Sequence, residues 1–170
     1  MTARRGRMTV DGEHATIVFE RRLEHEIEHV WEAITTPEGM RDWLLCTHAA
    51  IEPRVGGHVE TVSGPGQYRA RGTVLRWEPP RVFEYEWKVD PLPEMPVGQH
   101  ALLCYELEPR DGATLLTVTY RRITRQTAVG FLPGLHAFLD RLEAQLDRRA
   151  LPDWHALFAT LRTEYREWTG

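Results

Sequence analysis

The last third of the chain carries the clearest hydrophobic periodicity. Apolar residues recur there at spacings of three and four, which is typical of one face of a helix. This pattern predicts a long helix over about 130–149 and, after Leu151-Pro152, an extra helix over about 152–168. The first stripe contains Leu132, Leu135, Phe138, Leu139, Leu142 and Leu146, and the second contains Trp154, Leu157, Phe158, Leu161, Tyr165 and Trp168. The second stripe is expected either to pack on its own domain or, if exposed, to form a homodimer surface.

The middle of the chain, residues 46–122, instead shows alternating positions and frequent turn signals, which favour β-strands. Strand-like runs bounded by glycine and proline lie at about 58–62, 67–77, 81–90, 100–108 and 113–122. One earlier strand is predicted at 15–23. Because the connections are short, we expect antiparallel neighbours, whereas residues 91–98 contain three prolines and indicate an open loop.

Two short helices are predicted between the first strand and the others. A stripe of Ile27, Val30, Trp31 and Ile34 indicates the first helix, and Thr36-Pro37 supplies a cap and first position for a second over about 37–45. The order predicts an α+β fold: a curved antiparallel sheet of six to seven strands, covered by the long C-terminal helix. Residues 1–12 are predicted to be a flexible tail, and residues 13–170 a single domain.

Composition narrows the classes of partner. The 170 residues suit one globular domain, and the net charge of −4 disfavours nucleic acid and membrane partners. No apolar run approaches the length of a membrane span or of a secretory signal, so a cytoplasmic protein is expected. All but one of the 21 Lys and Arg residues are Arg, and Asn is absent, which we interpret as bacterial GC-rich codon usage. Cys46 and Cys104 are expected to be free buried thiols.

Strand alternation predicts which side chains face the interior. The aromatic residues of 82–89 share one face, and the inward positions of the next two strands add leucines, a valine and two tyrosines. With the helix above them, the predicted ligand-binding residues are Phe83, Tyr85, Trp87, Leu103, Tyr105, Leu116, Val118, Tyr120, Leu135, His136, Leu139 and Leu142. Buried tyrosine hydroxyls need hydrogen-bond partners. The pattern therefore favours a cavity between sheet and helix over the alternative, a solidly packed core.

One string matches a zinc-protease pattern. His25-Glu26-Ile27-Glu28-His29 is a literal H-E-x-x-H, in which two histidines one helical turn apart would bind the metal. On a helix, however, His25 and His29 point away from the apolar stripe and toward solvent. We therefore predict no metal site and no cofactor.

Other candidate catalytic groups are isolated. His58 and Glu60 share a strand face and could form a general-base pair, His100 could stand at a pocket mouth, and His136 could reach the pocket rim. Ser63 lies in a turn without a nucleophile-elbow motif, and neither cysteine has a sequence-marked base. The sequence therefore identifies no catalytic residue, and whether the protein is an enzyme stays open.

Several motifs together resemble a known family. They are Phe19-Glu20-Arg21-Arg22, residues 30–38 (VWEAITTPE), Trp43-Leu44, residues 53–57 (PRVGG), Gly72-Thr73-Val74, Pro79-Pro80-Arg81, Tyr85-Glu86-Trp87, residues 105–109 (YELEP) and residues 113–116 (ATLL). This set resembles START-like (SRPBCC) proteins, in the branch of the C-terminal domain of the activator of heat-shock-protein-90 ATPase. The resemblance covers about residues 15–165 and implies a helix-grip fold around an apolar pocket.

Two departures from the family matter. A Gly-Trp pair often begins the long helix, but Gly134-Leu135 stands here, which could enlarge or reshape the pocket. The chain also has no room for the co-chaperone's separate N-terminal domain, so co-chaperone activity is not carried over. The favoured hypothesis is binding of a small hydrophobic or amphipathic molecule. The alternatives are a cyclase-like or hydrolase-like enzyme using the same pocket, and a protein-interaction or chaperone-associated module.

Overall fold

The computed structural model describes residues 4–169, with side chains described through residue 166. One antiparallel sheet contains eight strands in the order β1-β2-β8-β7-β6-β5-β4-β3. The strands are β1 (Arg7–Asp11), β2 (His14–Leu23), β3 (His48–Ile51), β4 (His58–Ser63), β5 (Tyr68–Glu78), β6 (Val82–Val89), β7 (Gln99–Arg110) and β8 (Ala113–Thr124). Among the strands that the structure describes, only β2 and β8 are distant in sequence yet paired, and this pairing brings the chain's first half against its second.

The described residues also form four helices: α1 (Ile27–Thr35), α2 (Pro37–Met40), α3 (Arg125–Leu146) and α4 (Trp154–Thr169). The cap predicted for α2 is present, because the Thr36 hydroxyl accepts a hydrogen bond from the Gly39 N–H at 3.0 Å. Asp153 caps α4 in the same way, accepting from the Ala156 N–H at 2.9 Å. Within residues 4–169, no helix is long and apolar enough to cross a lipid bilayer.

The α+β class, the antiparallel sheet and the C-terminal helix agree with the sequence prediction, and the arrangement is consistent with a helix-grip fold. The predicted strand number was too low, because the sheet has eight strands rather than six to seven. The additional strands are β1 and β3, which lie at the two edges. Both are short and largely exposed, so their sequences lack the apolar alternation by which strands are recognised. The strand β1 lies in the segment 1–12, for which a flexible tail was predicted.

Helix boundaries also differ from the sequence prediction. The helix α3 begins at Arg125 rather than near residue 130, because its first turn is polar and escapes a search for apolar periodicity. Its start is held by Gln99, whose amide donates to Thr124 and Thr127 hydroxyls at 2.9 and 3.0 Å. The helix α2 ends at Met40 rather than near residue 45.

The core follows the predicted strand faces. Phe83, Tyr85, Trp87 and Val89 of β6 are buried, whereas Lys88 between them is exposed. The inward positions of β7 and β8 are buried as well, and α3 lies across them. Cys46 and Cys104 are buried free thiols. In this arrangement the aromatic face of the sheet is turned toward α3.

Candidate functional site: a cavity between the sheet and the C-terminal helices

A cavity of about 380 Å³ lies between the sheet and the first half of α3, within the range of about 300–1,000 Å³ that is usual for small-molecule sites. Aromatic side chains dominate its wall: Tyr68, Tyr85, Trp87, Tyr105, Tyr120, Phe131, Phe138, Trp154 and Phe158. Aliphatic and small residues fill the gaps between them: Leu44, Gly64, Pro65, Gly66, Met95, Leu103, Gly130, Gly134 and Leu135. The remaining lining residues are polar: Thr61, Ser63, Glu94, Gln126 and Thr127.

Half of the residues predicted to bind a ligand line this cavity. These are Tyr85, Trp87, Leu103, Tyr105, Tyr120 and Leu135. The others, which the structure places outside the cavity lining, are Phe83, Leu116, Val118, His136, Leu139 and Leu142. Alternation identified the correct face of each strand, but it does not state how far along a strand the empty space extends.

The far end of the sheet is closed by aromatic packing. Phe83 follows the same face of β6 as Tyr85, and its ring lies 4.9 Å from that of Tyr85. On its other side the ring meets Trp77 of β5 at 5.2 Å and Trp31 of α1 at 6.5 Å. Leu116 and Val118 are buried in the core cluster on the neighbouring strand β8. The cavity therefore begins only at Tyr85 and extends away from α1.

On α3, Phe138 lines the cavity, but the predicted residues His136, Leu139 and Leu142 face the packed core or α4 instead. Leu139 and Leu142 are buried in the core at 4% and 0% exposure. His136 was predicted at the pocket rim, but it lies on another side of α3, where its Nδ1 is 2.8 Å from the Tyr165 hydroxyl of α4. A residue next to Leu135 on a helix points about 100° away, and this explains the different surroundings.

Three buried tyrosines line the cavity with hydroxyls that have no partner among the described residues. Tyr85, Tyr105 and Tyr120 are 6%, 5% and 7% exposed, and their hydroxyls form no hydrogen bond with any residue in the described part of the chain. Burial raises the phenol pKa of all three above the usual range, and the neighbouring phenols raise those of Tyr85 and Tyr120 further. They are therefore neutral groups that can each donate one hydrogen bond into the cavity.

The aromatic rings of the wall form two groups. Trp87 contacts Tyr120 and Phe131 edge to face, with ring centroids 5.8 and 5.5 Å apart. Trp154 stacks on Phe158 at 4.8 Å and meets Phe138 of α3 at 5.5 Å. The second group joins α4 to the cavity wall, so this extra helix is part of the site.

The second apolar stripe thus packs on its own chain. Leu161 and Tyr165 are buried against the rest of the domain, and Trp154 lies over Gly134, where an added Cβ would be 3.4 Å from its ring. The side chain of Trp168, which the sequence assigned to the same stripe, lies outside the described residues. The family pattern often has Trp where this chain has Leu135. Here the indole of Trp154 on α4 packs against the neighbouring Gly134.

Sequence reasoning missed the rim of the cavity. The rim includes the β4–β5 turn at 63–66, Tyr68, and Glu94-Met95 in the loop between β6 and β7. Turn residues have no periodicity, so a prediction from alternation cannot assign them to a face. The aromatic stripe that includes Trp154 and Phe158 could have identified this part of the wall, because the apolar face of an amphipathic helix packs against other apolar residues.

The H-E-x-x-H string does not form a metal centre. His25 precedes α1, and its Nε2 lies 2.7 Å from Asp147, while the His25 and His29 rings are 5.3 Å apart. Among the described residues there is no group of three or more His, Cys, Asp or Glu side chains placed to hold a metal ion.

The other histidine candidates lie outside the cavity lining. Glu60 does not pair with His58; its carboxylate contacts Arg69 at 2.6 Å and His48 at 3.2 Å. His100 is exposed on β7, with its Nε2 3.4 Å from Glu86. The two carboxylates, Glu60 and Glu86, lie on the outer face of the sheet. None of the histidines considered for catalysis, His58, His100 and His136, lines the cavity.

Comparison with known proteins identifies the family of this chain. The model for Activator of Hsp90 ATPase homolog 1-like proteins matches residues 24–147. None of the curated proteins compared with this chain matches it. Solved structures do: protein MLL2253 from Mesorhizobium loti is 26% identical, with a TM-score of 0.68 over 80% of this chain and 99% of that one.

Two further structures are similar over more of the chain. The protein encoded by gene BPP1335 from Bordetella parapertussis is 25% identical over 92% of this chain and 86% of that one, with a TM-score of 0.69. CalU16 from Micromonospora echinospora is 21% identical over 95% and 92%, with a TM-score of 0.67, which shows a shared fold.

Proposed function

This chain belongs to the family of Activator of Hsp90 ATPase homolog 1-like proteins, and from this premise and its cavity we propose that it binds a small hydrophobic or amphipathic molecule. The site is the space between the sheet and α3, with α4 forming part of the wall. The observation that carries the proposal is an aromatic cavity of about 380 Å³ into which three buried tyrosines bring unpartnered hydroxyls.

The physical argument concerns what the cavity offers to a ligand. The hydroxyls of Tyr85, Tyr105 and Tyr120 have no hydrogen-bond partner among the described residues, and their side chains line the cavity, so a ligand there can accept hydrogen bonds from them. A guest with an apolar body and hydrogen-bond acceptors would satisfy the hydroxyls and cover the rings. Aromatic walls with few polar groups are also typical of sites that bind by shape and orient by hydrogen bonds.

The proposal is tested by titration with N-phenyl-1-naphthylamine, an uncharged probe whose emission rises in apolar surroundings. We expect saturable binding to the full-length protein. Leu135→Trp, which adds an indole to the cavity wall, should weaken binding about tenfold, in line with the cost of overfilling a packed site. Leu75→Trp is the matched control, because Leu75 is exposed on β5 and outside the lining.

Probe binding that does not saturate, or that Leu135→Trp and Leu75→Trp affect equally, would overturn the proposal. Native mass spectrometry of protein purified without denaturation provides a second readout. A retained molecule that is lost from Leu135→Trp but kept by Leu75→Trp would support the cavity as its site.

A further inference from the structure

The charge around the cavity is unlike that of the rest of the chain. The protein contains 21 Lys and Arg residues and 8 His, yet none of these lines the cavity in the described structure. Glu94 is the one lining residue of the Asp and Glu type. Two of the basic residues that adjoin lining residues in the sequence have other surroundings: Arg69 contacts Glu60 at 2.6 Å, and Arg125 is exposed at the start of α3.

Glu94 is held at the rim by its backbone. Leu92 and Met95 exchange two hydrogen bonds of 2.9 Å each, and the Gly98 N–H donates to the Met95 carbonyl at 2.8 Å. This places Glu94 at the tip of a tight turn, next to Met95, whose side chain is buried. The carboxylate is thus presented from an ordered turn at the cavity mouth.

Tyr68 lines the same cavity as Glu94. Burial raises the pKa of its phenol, and the negative charge of Glu94 raises that pKa further. A cation entering here would meet a carboxylate and an aromatic face, two groups that attract positive charge. An anion would lose its hydration, meet no basic partner, and be repelled by Glu94.

The inner end of the cavity is neutral and donates hydrogen bonds. The buried side chains of Tyr85, Tyr105 and Tyr120 line it with hydroxyls that have no acceptor among the described residues, and the phenols are un-ionised at neutral pH. The site therefore has two ends of different chemistry: hydrogen-bond donors inside, and a carboxylate with a phenol ring at the entrance.

We propose that the cavity selects a cationic amphiphile, a ring-containing molecule whose neutral oxygen acceptor meets the inner tyrosines and whose protonated amine lies between Glu94 and Tyr68. This inference rests on the proposed function, because it assigns the charge of the molecule that the same cavity binds. It excludes fatty acids, acyl phosphates and other anionic amphiphiles as the preferred ligands.

Three small probes with one ring system test the inference by displacement of bound N-phenyl-1-naphthylamine at pH 7 and low salt. They are 2-naphthylmethylamine, which is cationic, 2-naphthalenemethanol, which is neutral, and 2-naphthoate, which is anionic. We expect the amine to bind about two- to fivefold more tightly than the alcohol, as for a partly exposed ion pair. The naphthoate should bind at least about tenfold more weakly than the alcohol.

Glu94→Gln should abolish the preference for the amine over the alcohol. Glu108→Gln is the matched control, because Glu108 is exposed on β7, outside the lining, and the change in net charge is the same. A preference for the amine that survives Glu94→Gln, naphthoate as strong as the alcohol, or no displacement by the amine would each overturn the inference while the probe still binds. If the probe itself does not bind, the proposed function fails and this inference fails with it.

Discussion

The Tyr165 hydroxyl of α4 lies 2.8 Å from Nδ1 of His136 on α3 and accepts a hydrogen bond of 2.8 Å from the Gly6 N–H. The Asp140 carboxylate lies 3.6 Å from Nε2 of the same ring, which favours the tautomer with its proton on Nε2 and leaves Nδ1 to accept from the Tyr165 hydroxyl. One neutral imidazole therefore connects the N-terminal segment, α3 and α4.

His136 should make folding stability depend on pH. Burial, opposed in part by Asp140, lowers its pKa from 6.5 to about 4. A depressed histidine pKa means that the unfolded chain binds the proton more tightly, so this contribution to stability is full above pH 6.5 and is lost as the pH falls toward 4. The slope in that window should be at most about 1.4 kcal/mol per pH unit. Urea unfolding at pH 7, 6 and 5 measures it.

A non-titrating variant isolates this effect from the carboxylates that titrate nearby. In His136→Asn the side-chain oxygen can still accept from Tyr165, so the variant is expected to fold. Its stability at pH 7 should be lower than that of the wild type, but its decline between pH 6.5 and 5 should be shallower. Parallel pH profiles for the two proteins would assign the dependence to other groups.

A second prediction concerns Arg21, whose side chain is 3% exposed and lies 2.9 Å from Asp140. Asp140→Ala leaves a buried guanidinium with Glu143 at 3.7 Å as its remaining carboxylate partner, and it should cost about 2–4 kcal/mol of the free energy of unfolding. Denaturant unfolding at pH 7 gives the value. Glu20→Ala, which breaks the exposed 3.0 Å contact with Arg7, should cost less than about 1 kcal/mol. Equal losses in the two variants would contradict this account.

The sequence predicts the fold of this chain well because the fold depends on periodic patterns. The alternating rings of Phe83, Tyr85 and Trp87 and the stripe on α3 each determine which face is buried, and family motifs supply the topology. Edge strands such as Arg7–Asp11 were missed, because they bury little and have no pattern to recognise.

The site is predicted less completely, for a physical reason. Whether a buried face leaves a cavity depends on the distance between elements, and this distance depends on contacts far apart in sequence. Trp31 closes one end of the sheet, whereas Gly134 allows Trp154 to approach α3 at the other end. Neither effect can be derived from the periodicity of one segment. The position of His136 likewise depends on its contact with Tyr165 of α4, so the prediction from α3 alone placed it at the rim.

The third prediction concerns two glycines whose substitution by alanine should change the free energy of unfolding in opposite directions. A Cβ on Gly72 of β5 would lie 1.9 Å from the Glu86 carbonyl oxygen of the neighbouring strand, so Gly72→Ala must separate the strands and should cost at least about 3 kcal/mol. Gly130 is exposed inside α3, and a Cβ there meets no atom within 4 Å. Gly130→Ala should therefore stabilise the protein by about 0.5–1 kcal/mol. Thermal unfolding of both variants distinguishes the signs, and a destabilised Gly130→Ala would contradict the helical assignment.

The last prediction concerns Trp154, whose indole N–H is buried without a hydrogen-bond partner among the described residues. Trp154→Phe removes an unsatisfied donor and keeps a ring against Phe138 and Phe158, so the lost contact area and the relieved donor offset each other. We expect a change of less than about 1 kcal/mol for Trp154→Phe, against a loss of about 2 kcal/mol or more for Trp154→Ala, which removes the ring. Urea unfolding followed by circular dichroism measures both values. Equal losses would mean that the indole nitrogen has a partner in solution, and that α4 depends on this hydrogen bond rather than on ring packing over Gly134.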